Sequence, residues 1–64
     1  MNLRIERVKR GISQKKLSQI SNVCQTTIVK IEKGDIDSIT IGTLRKLSRA
    51  LGVPVVDLFF NDEQ

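Results

Sequence analysis

SQKKLSQISNVCQTTIVKIEKG, residues 13–34, is the stretch that decides the fold. It reads as two short amphipathic helices joined by a tight turn, the second with a polar, basic face. Leu17, Ile20, Val23, Ile28 and Ile31 fall where a crossed helix pair must share a core. Ser18 is small where the two backbones approach. Asn22 stands at the turn, where the chain needs a positive φ that Asn tolerates better than most residues.

The punctuation on either side adds three further helices, giving an all-α chain with helices at about 2–10, 14–21, 25–33, 41–51 and 54–60. Leu3, Ile5 and Val8 are the apolar residues of the first, which Gly11 ends. Ser13 is a good N-cap for the second, which carries Leu17 and Ile20 inward. Thr40 caps the fourth, where Ile41, Leu44, Leu47 and Leu51 form a helical stripe that stops at Gly52. Pro54 pre-sets the first turn of a short fifth helix, with Val55, Leu58 and Phe59 inward. The β-branched and aromatic content of 53–60 leaves a strand as the alternative there. No repeat or low-complexity segment breaks the chain, so residues 1–64 read as a single domain.

Composition narrows the function classes. A chain of 64 residues buries only about 60% of its unfolded surface, so a partner that adds burial matters to its stability. One cysteine and no histidine leave no internal disulfide and no cluster of metal ligands. There is no membrane-spanning run and no signal-peptide pattern, which makes a reducing cytoplasmic setting the default. No cysteine–histidine pair and no glycine-rich phosphate loop are present, so enzyme function, a cofactor and a small-molecule ligand are not expected. The net charge of +4 is uneven. Residues 1–33 hold Arg4, Arg7, Lys9, Arg10, Lys15, Lys16, Lys30 and Lys33 against Glu6 and Glu32, while residues 34–64 carry a negative balance. The basic half attracts polyanions, although charge alone is equally consistent with a solvated face.

The pattern resembles the Cro/cI-like (Xre) helix-turn-helix regulators. Ser13-Gln14, Leu17, Val23, Ile28, Ile31, Glu32, Gly34, Leu44, Leu47, Ala50-Leu51-Gly52-Val53 and Leu58 carry the resemblance, which spans Leu3 to Phe60. It implies a compact five-helix lambda-repressor-like DNA-binding domain, usually a repressor. Two departures, Ser18 for the family's Ala and Asn22 for its Gly, keep small or turn-compatible residues. The loop Asp35-Ile36-Asp37 is acidic where many relatives carry Lys or Arg near phosphates.

With Ile28 and Ile31 inward, Gln25, Thr26, Val29, Lys30 and Lys33 share much of the opposite side of the third helix. Such a helix offers its N-terminal residues to base edges in the major groove. Gln25 can pair bidentately with adenine, Thr26 can donate or accept, and Val29, read as exposed, can touch a thymine methyl. Lys30 can reach guanine or a phosphate. By resemblance, Gln25, Thr26 and Lys30 match base-contacting positions. Gln14 opens the second helix, where free amides and the helix dipole attract a phosphate. The matching glutamine in the family also steadies the residue at Gln25. Arg10, Lys15, Thr27, Lys33, Thr40 and Thr43 are further phosphate candidates, Thr40 reading equally well as a plain cap. The resemblance implies a partly buried ion pair between Arg7 and Glu32. Cys24, at the N-cap of the third helix, invites a redox reading. The plainer one is a near-isosteric stand-in for the Ser or Thr of relatives.

Val56 and Phe60, four apart on the fifth helix, face outward where relatives carry polar residues. They suggest a homodimer that sets two recognition helices on successive major grooves of an inverted repeat. The leading expectation is a sequence-specific double-stranded DNA-binding transcriptional regulator, a repressor. The alternative is a protein-interaction module such as an antitoxin subunit.

Overall fold

The computed structural model describes residues 2–59, of Phe59 the main chain alone. Five helices follow in order: α1 Leu3–Lys9, α2 Gln14–Ser21, α3 Gln25–Glu32, α4 Ile41–Leu51 and α5 Val55–Phe59. No strand forms among the described residues; the fifth helix, expected over 54–60, starts at Val55 rather than Pro54 and is described as far as Phe59. The helices lie within a residue of the expected bounds. Asn2, Arg10 and Lys33, read as helical, serve as caps instead.

The ends form as their residues dictate. The Ser13 side chain accepts from the Lys16 amide, and the Thr40 side chain from the Thr43 amide, each filling a donor that a bare helix start leaves open. Asn22 ends α2 at φ 63°, ψ 29°, the left-handed conformation expected of it, and its amide donates to the Ser18 carbonyl. Gly52 does the same for α4 at φ 69°. The start of the chain is tied to α5: the Asn2 amide donates to the Leu58 carbonyl at 2.8 Å and its side chain to the Asp57 carbonyl at 3.0 Å.

Leu3, Leu17, Ile28, Ile31, Leu47 and Leu58 are the largest fully buried side chains, and every helix contributes at least one. Each such burial stabilises by roughly 1.5–3 kcal/mol before the cost of ordering the chain. Ile36 and Ile39, from the acidic loop, pack against the same cluster.

Three apolar expectations are corrected. Ile20 is 46% exposed, because the inward face of α2 runs through Gln14, Leu17, Ser18 and Ser21, the i, i+3, i+4, i+7 set. Ser21 takes the buried place, its hydroxyl accepting from the Val23 amide at 3.2 Å. Ile41 is 57% exposed, at the first turn of α4 beyond the packed part of its stripe. Val55 is half-buried, leaving Leu58 as the core residue of α5 among those whose side chains are described. On α1 the exposed side carries Ile5 and Val8, while Glu6 and Arg7 are half-buried.

Candidate nucleic-acid interface

The surface starts from the clamp on α3. Ile28 and Ile31 have no exposed surface, so the rotation of the helix about its axis is set. That rotation leaves Gln25, Thr26, Lys30 and Lys33 exposed, as expected. Thr27 and Val29 are half-buried. Val29 therefore differs from the exposed valine read in the sequence: about 100° from Ile28, it sits at the border of the buried stripe.

A second clamp fixes the far end of the same helix. Arg7 on α1 grips Glu32 with two parallel bonds, Nε to Oε2 at 2.7 Å and Nη2 to Oε1 at 3.1 Å. Its remaining Nη1 donates to the Ile12 carbonyl at 2.8 Å. The side chains of Arg7 and Glu32 are 12% and 6% exposed, the partly buried pair that the resemblance implies. Burial pushes the Glu32 carboxyl up. The Arg7 hydrogen bonds, the Gln14 amide and the charges of Arg7 and Arg4 outweigh it and hold the group below its ordinary value.

Gln14 is the third member of this cluster. Its Nε2 donates to Glu32 Oε1 at 2.9 Å, so three helices meet at one carboxylate. The expected steadying of Gln25 gives way to a bond with Glu32, at the other end of α3. Sequence reading missed this link. The signal was there in chemical form: a buried carboxylate accepts more bonds than one arginine fork supplies.

The phosphate candidates divide. Lys15, Lys30 and Lys33 are exposed and join no ion pair among the described residues. Arg10 is instead engaged within α1, its Nη1 donating to Glu6 Oε1 at 2.7 Å and to the Glu6 carbonyl at 2.9 Å. Lys9 reaches the other Glu6 oxygen at 3.6 Å. The Arg10 bond, first among these contacts, draws the Glu6 carboxyl below its usual value. Thr40 acts as a cap, with its hydroxyl 3.0 Å from that of Thr43. Cys24 caps α3 without a side-chain bond and is an exposed free thiol. Val56 is 61% exposed on α5, and Phe60, its expected companion, lies outside the described residues.

A helix-turn-helix family model matches residues 3–58. The chain belongs to the Cro/cI-like (Xre) helix-turn-helix family. It is therefore a DNA-binding helix-turn-helix regulator, of a family that is generally non-enzymatic. Comparison with curated proteins and with solved structures gives no match. Within the Xre frame, α2 and α3 are the paired helices, and the Asn22 turn separates them. No helix among the described residues is long and apolar enough to cross a membrane.

Proposed function

We propose that this Xre-like regulator reads a specific duplex sequence by laying α3 in the major groove, and that it acts as a repressor. One observation carries the reading: Ile28 and Ile31 are fully buried while Gln25, Thr26 and Lys30, on the same eight-residue helix, are exposed. A rod held that firmly on its dry side presents its wet side at a fixed angle, which base-edge recognition needs.

In this reading Gln25, Thr26, Lys30 and the exposed part of Val29 meet bases. Lys15, Lys33, Thr27 and the starts of α2 (Gln14) and α4 (Thr40, Thr43) meet phosphates. Arg10 joins them by exchanging Glu6 for a phosphate oxygen. Gln14 reaches a phosphate with the amide N–H that Glu32 does not use. Repression follows from occupancy, since a protein filling the major groove excludes other proteins from that stretch. Val56, with Phe60, gives the apolar contact of a homodimer on an inverted repeat.

Selection of bound duplexes from a random pool tests the whole reading. A symmetric consensus is the expected result. Failure of any duplex to outcompete bulk genomic DNA overturns it. Placing the consensus across a promoter then tests repression, with lower reporter output expected.

A further inference from the structure

We propose that the groove between the C-terminal halves of α2 and α4 docks an acidic segment of a partner protein that carries an apolar anchor. The groove is open, about 330 Å³, and is lined by Ile20, Ser21, Asn22, Lys46, Arg49 and Ala50. Its hydrocarbon comes from Ile20, 46% exposed, and the half-buried Ala50. Its charge comes from Lys46 and Arg49, both exposed. Neither α2 nor α4 contains an acidic residue, and neither cation joins an ion pair among the described residues. An exposed isoleucine beside two cations with no counter-charge is complementary to a carboxylate-rich segment with one large apolar side chain.

The position of the groove separates it from the proposed DNA face, and this step rests on that reading. Both helices offer their N-terminal ends to phosphates. Ile20 to Asn22 lie about 10 Å further along α2 than Gln14, and Arg49 lies about 9 Å beyond Thr43 on α4. Asn22, on the rim, is three residues before Gln25, so the part of the groove this reading leaves open when duplex is bound is the one formed by Ile20 with Lys46, Arg49 and Ala50 of α4. A phosphate backbone would neutralise Lys46 and Arg49 and leave Ile20 wet. An acidic peptide with a Leu or Phe covers both.

The test uses the whole chain, isotope-labelled, titrated with a short synthetic peptide of Glu and Asp around a central Leu-Phe pair, without DNA and then bound to duplex. The expected result is amide shifts at Ile20, Lys46, Arg49 and Ala50 in both states. Lys46→Gln with Arg49→Gln should weaken the peptide about tenfold while duplex affinity stays within about twofold. Ile20→Ser should weaken the Leu-Phe peptide and leave a peptide of Glu and Asp alone unaffected. Absence of shifts in the groove overturns the proposal. So do shifts on α3 that duplex displaces, and an equal loss of duplex and peptide affinity, which would make the groove a phosphate site. The DNA-free arm reads the groove alone, so a failure of the duplex reading appears only in the other arm.

Discussion

Glu32 accepts from Arg7 and from Gln14 while 6% exposed, so deleting it strands a guanidinium and an amide together. Removing one partner of a buried pair is costly because the other charge stays desolvated, and Glu32→Ala should destabilise by about 3 kcal/mol. Glu6 also pairs with cations, but at the surface, where water and salt take over the role of the lost partner. Glu6→Ala should therefore move the Tm much less, and equal melting temperatures for the two variants would refute the distinction. The acid limb carries the same sign. The Glu32 pKa is depressed in the folded chain, so the unfolded chain takes up the proton first. Its contribution is present above the ordinary value of 4.5 and is lost as pH falls below it. Glu32→Gln should flatten the fall in stability between neutral pH and that acid range more than Glu6→Gln. Melting curves at neutral and acid pH decide it, and parallel curves for the two variants would remove Glu32 as the main acid sensor. The Arg7–Glu32 pair was legible through the family resemblance. The Gln14 bond was legible only as a spare acceptor on Glu32, because no local spacing says which donor from another helix fills it.

At the scale of elements, caps were the readable part. Ser13, Asn22, Thr40 and Gly52 each act through their own side chain or backbone freedom, so their roles could be read one residue at a time. Thr40→Ala should cost about 1 kcal/mol, the usual worth of a side-chain N-cap. A loss that small in thermal unfolding, with weakened binding to every duplex, would add a phosphate role to the cap; unchanged binding would leave the cap alone. Which way each helix faces was less readable. Ile20 is the larger apolar residue, yet Ser21 shares the inward face with Leu17 and takes the buried place, its hydroxyl accepting from the Val23 amide. In α1 the ion pair to Glu32 draws Arg7 inward, which leaves Ile5 and Val8 outside. Hydrophobicity ranks residues but does not say which face a partner helix will cover. On α3 both signals agree, and there Gln25→Ala should relax preference at one base position while Lys15→Ala weakens all duplexes alike. Binding measured across a set of single-base variants distinguishes the two. Loss of discrimination in Lys15→Ala would reverse the assignment.

For the whole molecule, charge and pairing meet in one measurement. The positive half of the chain and the proposed phosphate contacts make binding a counterion-release process, in which log affinity falls linearly with log salt at about 0.9 per phosphate neutralised. If the protein pairs across an inverted repeat, each protomer adds its own contacts, so the slope belongs to the dimer. Val56 is 61% exposed, a surface place where a polar side chain should leave the fold intact while weakening an apolar subunit contact. Val56→Ser should therefore shift sedimentation toward the monomer and reduce the salt slope on a half-site to about half that of the wild type on the full site. Its Tm should become independent of protein concentration, whereas that of a dimer rises with it. A wild type that sediments as a monomer at every concentration, with the same slope on full site and half-site, would dismiss the pair and leave Val56 as an exposed apolar residue of a single reading head.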